Sequence, residues 1–534
     1  MRAKTCLVLA MALISCAAAR AAPAEKPNII VILVDDMGFS DVGCYGGEIP
    51  TPNIDRLAAG GLRFTQFYNT GRCCPTRAAL LTGLYSHQAG VGHMMGDGHL
   101  PGYRGFLNDR CVTIADVLRS AGYFTATTGK WHVGYDAPTA RPLARGFERF
   151  YGSESGGFYY RPPRDRHVIS GHTILYSQDN PPPADWYSTD AWTDFGIQFI
   201  DEALAAKKPF FLYLAHNAPH FPLQAPQDEI AGFRGKYKMG WDALRKTRHA
   251  KQLELGIVER RWPMSPRPPG VSAWDALSSQ QQDRFDHIMA IYAACVAHVD
   301  TSIGRLTGAL AERGVLDNTL ILFMSDNGGN AESGPGGRFD GDVPGSVDST
   351  VFCGESWAVL ENTPFRRYKH FNHEGGIATP FVAHWPNGIA DQGGLRHQPG
   401  HVIDMMATCV DVGGATYPKT FDGRDIAPPE GRSLVPAFAN QPIERDALFW
   451  EHEGNAAVRV GDLKLVRMGR QGPWELYDLA ADRTELYDLA KEKPEWASQL
   501  TAKWQAWAKG AHVIPYPAAP AGKAKKARQA RKAN

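Results

Sequence analysis

The chain has 534 residues, of which 43% are hydrophobic and 10% aromatic, enough for a large core, so disorder over most of the length is excluded. At roughly 150 residues per domain, this length predicts two to four domains, or one large domain with a smaller partner. Lysine and arginine number 57 against 56 aspartates and glutamates. Eight basic residues lie at the two ends, which leaves 49 basic against 56 acidic residues elsewhere. This mildly acidic body argues against nucleic acid as a partner.

The first residues have the pattern of an export signal. Two basic residues precede an apolar run over 6–14, which is too short to span a bilayer and predicts a signal peptide over 1–22. Two processing sites stay open: residues 13–16 resemble a lipobox, which would lipidate Cys16 and attach the protein to a membrane, and residues 19–21 fit ordinary cleavage. Both predict a periplasmic or secreted protein.

Apolar runs alternate with helical patterns along the first 430 residues. Unbroken apolar runs that end in polar residues predict strands buried on both faces, hence a parallel sheet. The alternation predicts an α/β domain in layers. The predicted strands cover 28–34, 123–128, 210–215, 319–324 and 379–384, and the predicted helices cover 54–59, 77–82, 113–121, 194–206 and 283–312.

The composition and predicted secondary structure change twice towards the C-terminus. The segment 227–279 is rich in Arg, Lys and Pro and predicts an irregular, partly helical excursion. After residue 430, short β-rich segments separated by turns predict a small antiparallel subdomain. The final residues alternate alanine with lysine and arginine and predict a disordered tail. We therefore expect a large α/β domain over 24–430, a C-terminal α+β subdomain over 431–514 and a basic tail over 515–534.

Polar residues follow several of the predicted strands. In open α/β sheets the ligand crevice lies beyond the carboxyl ends of the strands, so these residues are expected to share one site. They are Asp35, Asp36, Lys130, His132, His220, Asp326 and Asn327.

The acidic pairs Asp35-Asp36 and Asp326-Asn327 predict a metal site. A hard divalent cation needs several oxygen ligands, some of them anionic. No Cys or His cluster lies beside these pairs in the sequence, which disfavours zinc. The alternative for either pair taken alone is that it caps a loop.

Several cationic side chains lie near predicted element ends. Taken singly, each could be a solvated bystander. Together with a metal ion they would form an electropositive pocket suited to a tetrahedral oxyanion such as sulfate or phosphate. They are Arg77, Lys130, His132, His220 and Lys369.

The most specific segment is Cys73-Cys74-Pro75-Thr76-Arg77, followed by Leu81-Thr82-Gly83. This pattern resembles the signature of the type I sulfatases of the alkaline phosphatase superfamily, and particularly their bacterial arylsulfatase-like branch. The register assigns the signature cysteine to Cys73, two residues before Pro75, and leaves Cys74 at a variable position. Similar matches occur at 28–36, 129–132, 217–222, 325–328 and 365–377.

The resemblance implies a fold and two cofactors. The fold would be a large mixed, mostly parallel sheet flanked by helices, with a small C-terminal antiparallel-sheet subdomain. A separate formylglycine-generating enzyme would oxidise Cys73 to formylglycine. One divalent cation, Ca²⁺, would be held by the modified residue 73 and by Asp35, Asp36, Asp326 and Asn327.

The resemblance also implies a role for each cationic residue. Arg77 would orient residue 73 from one helical turn away. Lys130 and Lys369 would bind the sulfate oxygens. His220 would contact the substrate and protonate the leaving alcohol, with Lys369 as a second candidate donor. His132 would take the proton of the second hydroxyl of the hydrated aldehyde, and Asp326 could accept the proton of the attacking one.

The implied function is that of a sulfuric ester hydrolase acting on an aryl or carbohydrate sulfate, with sulfated polysaccharide among the candidate substrates. Two alternatives remain open: a phosphonate monoester or phosphodiester hydrolase of the same superfamily, and a sulfated-glycan-binding protein without turnover. The excursion over 227–279 and the loop residues His93 and His99 are candidates to border the leaving group. The sequence does not rank sugars against aryl sulfates.

Overall fold

The computed structural model describes residues 26–517. The predicted signal peptide, the Cys16 lipid site and all but the first three residues of the predicted basic tail lie outside the described residues.

Most of the helices and strands belong to one large α/β body. The strands are β1 (Asn28–Val34), β2 (Leu62–Phe64), β3 (Phe67–Tyr68), β4 (Phe124–Lys130), β5 (Arg149–Ser153), β6 (Val168–Ser170), β7 (Thr173–Tyr176), β8 (Phe210–Ala215), β9 (Thr319–Ser325), β10 (Arg338–Asp340), β11 (Thr350–Phe352), β12 (Phe381–His384), β13 (Gly394–Arg396), β14 (Gly400–His401), β15 (Thr420–Phe421), β16 (Arg424–Asp425), β17 (Leu448–His452), β18 (Asn455–Val460), β19 (Leu463–Arg467) and β20 (Glu475–Asp478). The helices are α1 (Pro52–Ala59), α2 (Cys73–Thr82), α3 (Ile114–Ser120), α4 (Ser188–Ala205), α5 (Gln227–Phe233), α6 (Gly240–Glu254), α7 (Ser279–Glu312), α8 (Gly354–Glu361), α9 (Glu374–Ile377), α10 (Asp404–Val412), α11 (Val435–Phe438) and α12 (Pro494–Gly510).

The main sheet has ten strands in the order β13-β2-β12-β9-β1-β8-β4-β5-β6-β7. Its centre, β9-β1-β8-β4-β5, is parallel throughout, whereas β12 and β6 pair antiparallel to their neighbours and make the sheet mixed. The predicted fold class, a large and mostly parallel sheet with helices, is therefore confirmed. Because the central strands are parallel, β1, β4, β8 and β9 end at the same edge.

The central strands follow from their composition. Every residue of β1, β8 and β9 is buried, as unbroken apolar runs predict for strands covered on both faces. Helix α2 begins at Cys73, four residues before the predicted start at residue 77, because Pro75 is tolerated in the first turn, where backbone N–H groups have no intrahelical partner. The helix ends at Thr82, and the next residue, Gly83, has a φ of 70°, which suits glycine after a helix C-terminus.

The C-terminal part forms the predicted small antiparallel sheet, β17-β18-β19-β20. Helix α12, which the sequence analysis did not predict, packs on this sheet through Leu500, Trp504 and Ala508. The sheet also contacts the main body: Trp450 donates a hydrogen bond to the carbonyl of Asn69 (2.8 Å), and Lys464 forms an ion pair with Glu374 (2.8 Å). The residue boundaries proposed for the domains stay predictions.

Two further observations concern the residues from 26 to 517. None of the helices in this range is both long and apolar enough to cross a membrane. All the cysteines described there are buried and unpaired, so no disulfide joins them.

Candidate active site

The acidic pairs converge because β1 and β9 are parallel neighbours in register, with Val34 opposite Ser325. The residues that follow therefore meet at the sheet edge. The amide of Asp36 lies 3.3 Å from Oδ1 of Asp326, and the amide group of Asn327 donates to Oδ1 of Asp36 (2.7 Å). Side chains from two segments 290 residues apart in sequence thus form one oxygen-rich group.

The chemistry of this group fits a divalent cation. Oδ1 of Asp35 and Oδ1 of Asn327 are buried and have no hydrogen-bond partner, although buried polar atoms normally have one. Burial and the neighbouring Asp35 carboxylate raise the pKa of Asp326 well above its ordinary value. Burial acts against ionisation of Asp36 as well, but His220 and Lys369 outweigh it and lower that pKa. Unpartnered, partly anionic oxygens are the ligands that a hard dication requires.

Cys73 begins helix α2 and is buried beside the acidic group. Its thiol shares a hydrogen bond with Cys74 and lies close to Lys130 and His132, and these three contacts lower its pKa well below the ordinary value. The pKa of Cys74 is raised by burial and by Cys73, and its sulfur packs 3.7 Å from the Met94 sulfur. The two cysteines therefore differ in the direction of their pKa shifts: the Cys73 thiol is the more acidic one, and the Cys74 thiol is held in its neutral form.

Arg77 lies one helical turn after Cys73 and is completely buried. Its Nε and Nη2 both donate to Oδ2 of Asp326, at 3.1 and 2.8 Å, and its Nη1 donates to the carbonyl of Lys130 (2.9 Å). Arg77 thus holds Asp326, a predicted metal ligand, and the end of β4 through its hydrogen bonds. It also lies on the same helix as residue 73.

Two lysines reach the same group from different segments. Nζ of Lys130, the last residue of β4, lies 2.6 Å from Oδ2 of Asp35. Nζ of Lys369 lies 2.6 Å from Oδ1 of Asp36. Burial alone would lower the pKa of Lys369, but Asp36 outweighs burial and raises it. An ammonium carries three N–H donors, so each lysine keeps donors for a bound oxyanion.

The two predicted histidines differ in their surroundings. The His132 ring is buried close to the Cys73 thiol, and burial lowers its pKa to about 4, so the ring is neutral at neutral pH. The His220 side chain is 14% exposed, with Nε2 3.6 Å from Oδ2 of Asp36. Its Nδ1 donates to the carbonyl of Phe221, so Nε2 is the nitrogen that faces the site. Burial lowers the pKa of His220 as well.

The structure also contains site residues that the sequence analysis did not name. Asn330 donates to Oδ2 of Asp36 (2.7 Å). Arg72 pairs with Glu332 (2.6 Å), and Glu332 also bonds His370 (2.9 Å). Asn330 and Glu332 follow the predicted pair Asp326-Asn327 within six residues. The polar composition of this short loop is the sequence feature that could have indicated them as site residues. Arg72 adjoins Cys73, and His370 adjoins Lys369.

The candidates for the leaving-group border lie apart from one another. The His93 ring packs against the rings of Tyr103 and His452, next to His370. The side chain of His99 is 88% exposed beside Asp97. In the segment 227–279, Arg248 of α6 pairs with Asp41 and Glu48. These ion pairs attach α6 to the loop after β1.

Comparisons with known proteins agree on one family. A sequence model described as Sulfatase matches residues 27–415. The chain is 35% identical over 449 residues to an arylsulfatase of Klebsiella aerogenes, covering 81% of this chain and 96% of the relative. It is 35% identical over 535 residues to an uncharacterized sulfatase of Schizosaccharomyces pombe, covering 93% and 96%. The crystal structure of Ps i-CgsB in complex with k-i-k-neocarrahexaose matches with a TM-score of 0.68 and 27% identity, covering 95% of this chain and 97% of that one.

Proposed function

Since the chain belongs to the sulfatase family and is a sulfatase enzyme, we propose that it is an exported hydrolase of carbohydrate sulfate esters that uses a formylglycine at position 73. The observation that carries this proposal is the convergence of Cys73, the oxygen-rich group, one arginine, two lysines and two histidines at one sheet edge. The proposal of export to the periplasm or beyond rests on the sequence pattern of residues 1–22.

The sulfatase family is known to use a metal ion and formylglycine. We assign the metal as Ca²⁺, held by residue 73 with Asp35, Asp36, Asp326 and Asn327, because these side chains offer hard oxygens. When bound, the ion would neutralise sulfate oxygens and lower the pKa of a nearby hydroxyl. The hydrated aldehyde of formylglycine would supply one hydroxyl as nucleophile and a second whose deprotonation releases sulfate by C–O cleavage. A formylglycine-generating enzyme would be the maturation partner.

The lysines and the arginine prepare the pocket for a sulfate group. Lys130 and Lys369 each use one short contact to a carboxylate, and their remaining N–H groups can bind sulfate oxygens. Arg77 makes two bonds to Asp326 from a fully buried position, which fixes the direction of that carboxylate. Fixed charges in a site closed to water stabilise charge that develops in the transition state.

The two histidines divide the proton transfers. His132 is neutral and lies beside residue 73, so it can accept a proton there. His220 lies on the open side of the site with Nε2 directed inward, so in its protonated form it can donate to the leaving oxygen. Lys369 and His220 both contact the Asp36 carboxylate, at 2.6 and 3.6 Å, so Lys369 is a second candidate donor.

The leaving group would lie on the partly exposed rim of the site. His220, Arg72, Glu332 and His370 have side chains 13–29% exposed, whereas the acids and lysines behind them are buried. A polar rim with charged donors and acceptors suits a sugar. The similarity to Ps i-CgsB, which was crystallised with k-i-k-neocarrahexaose, also favours a carbohydrate over a simple phenol as the leaving group of this chain's substrate.

A substrate panel tests this proposal. The protein, co-expressed with a formylglycine-generating enzyme, would be assayed on an aryl sulfate, an aryl phosphonate ester and defined sulfated mono- and oligosaccharides, with Cys73→Ala as the inactive control. We expect release of sulfate, with one sulfated sugar preferred to the aryl ester. Faster turnover of the phosphonate ester would instead assign the chain to phosphonate hydrolysis. Binding of a sulfated glycan without turnover by protein carrying formylglycine would overturn the enzymatic proposal.

A further inference from the structure

A second group of ionisable side chains lies beside the candidate active site. It contains His370 together with His452, the last residue of β17, and Glu453, the first residue of the turn to β18. One potential ligand atom of each of these three residues lies within 4.8 Å of the other two. We call these three residues the histidine cluster. His93 extends it, with its ring centroid 5.6 Å from that of His452.

The strongest feature of the histidine cluster is the His452 side chain. The residue is completely buried, and neither of its ring nitrogens has a hydrogen-bond partner. Leaving a buried polar group unpaired costs roughly 1–3 kcal/mol, so a fold normally avoids it. Nε2 of the adjacent His93 is also buried without a partner. These nitrogens are therefore free to bind a ligand that the protein itself does not supply.

His370 is oriented as a metal ligand would be. Its Nε2 contacts both the Glu332 carboxylate (2.9 Å) and Nη1 of Arg72, while Nδ1 faces Oε2 of Glu453 at 3.6 Å. If Nε2 holds the ring proton for Glu332, the lone pair of Nδ1 is directed into the histidine cluster. A carboxylate that receives the other ring N–H of a ligating histidine is the usual second contact in metal sites.

The charges favour a cation over an anion. Arg72 and Glu332 form an ion pair and offset each other, which leaves the Glu453 carboxylate facing His370 and His452. Burial lowers the pKa of His452 well below its ordinary value, so its imidazole stays neutral. Burial acts against protonation of His370, but Glu332 and Glu453 outweigh burial and raise the pKa of His370, so its ring would release a proton on binding a metal. Two imidazoles and a carboxylate are ligands typical of Zn²⁺ and related transition metals. The oxygen-rich group around Asp36 suits a harder ion, so the two sites would select different metals.

We propose that His370, His452 and Glu453 form a binding site for a transition-metal dication of the Zn²⁺ class, distinct from the catalytic metal site. The bound ion would join the turn after β17 to the segment after Lys369. Glu332 would connect it to the catalytic pocket, because this carboxylate contacts Arg72 at 2.6 Å and lies 4.0 Å from Nζ of Lys369. The ion would thereby hold the rim on which the leaving group is proposed to lie.

Cobalt binding tests this site without relying on turnover. The Cys73→Ala/Cys74→Ala protein removes the thiols near His132, which form another possible metal group, and excess Ca²⁺ fills the oxygen-rich site. Titration with Co²⁺ should then give one equivalent of ligand-field absorption in the visible range, and Zn²⁺ should displace it. We expect Glu453→Gln and His370→Gln, both at partly exposed positions, to weaken binding by roughly 10–100-fold or more.

A matched control is available in His216→Gln. His216 is also fully buried with both ring nitrogens unpartnered, but no metal group formed by the described residues includes it. Its replacement should leave Co²⁺ affinity unchanged, and thermal unfolding of each variant checks that the fold is intact. Absence of a second metal equivalent in the Ca²⁺-saturated protein would overturn the proposal. Unchanged Co²⁺ affinity in folded Glu453→Gln and His370→Gln would overturn it equally.

Discussion

Replacing His220 by alanine should impair turnover of sulfate esters in proportion to how poor the leaving group is. His220 is the partly exposed histidine of the site, and its Nε2 faces the buried acids while its Nδ1 is held by the Phe221 carbonyl. A phenol with a low pKa departs without help, whereas a sugar alkoxide needs a proton as the bond breaks. The variant should therefore retain most activity on an activated aryl sulfate and lose it on a sugar sulfate.

The size of the effect follows from the donors present. General acid catalysis contributes roughly 10²–10⁴-fold, which corresponds to about 3–5 kcal/mol of activation free energy. Lys369 contacts the same Asp36 carboxylate as His220 and can replace part of the lost proton transfer. We therefore expect a loss on the sugar sulfate nearer the lower end, at roughly 10²-fold.

The assay compares kcat/KM across aryl sulfates with phenols of graded pKa and one sugar sulfate, for the unaltered enzyme and for His220→Ala. The variant should depend more steeply on leaving-group pKa. Only protonated His220 donates from Nε2. As the pH rises, activity of the unaltered enzyme on the sugar sulfate should therefore begin to fall at a lower pH than its activity on the activated aryl sulfate. His167→Gln, at a histidine paired with Glu154, is the control. An equal loss on both substrate types would refute the assignment of His220 as the acid.

Three further predictions concern maturation, the metal and stability. Cys73→Ala should abolish turnover, while Cys74→Ala, which removes a thiol packed on a Met sulfur, should keep most of it. Fragmentation of the peptide that contains both cysteines should show conversion at residue 73 alone, and equal losses of activity in both variants would contradict this. Chelation of divalent ions should remove activity and added Ca²⁺ should restore it, so a fully active metal-free preparation would contradict the oxygen-ligand site. His298→Gln should destabilise the fold below about pH 6.5, by at most about 3 kcal/mol and less after solvent screening. Burial lowers the pKa of His298, but Asp190 and Glu229 outweigh it and raise that pKa from 6.5 to about 9. The stabilisation should therefore disappear as the pH rises through 9. Denaturant unfolding across this range measures the difference between variant and unaltered protein, and a difference that does not change with pH would contradict the prediction.

The sequence alone determined the central strands and the edge at which the polar residues gather. The runs in β1, β8 and β9 are apolar at nearly every position, and burial on both faces leaves them few alternatives to a parallel sheet. Since parallel strands end at one edge, residues after different strands could be grouped before any contact was known. The signature around Cys73 added a specific chemical identity to that edge.

Only the tertiary structure decided which side chains meet within this edge. Lys369 contacts Asp36 across 333 positions of sequence, and Arg77 turns its two donors to Asp326; no local pattern encodes either choice. The histidine cluster was missed for the same reason, whereas helix α12 did carry a local signal, since its buried residues Leu500, Trp504 and Ala508 recur every four positions. His370 and His452 become neighbours only because the C-terminal sheet packs on the main body, and sequence periodicity reports the burial of a segment but not the partner that buries it.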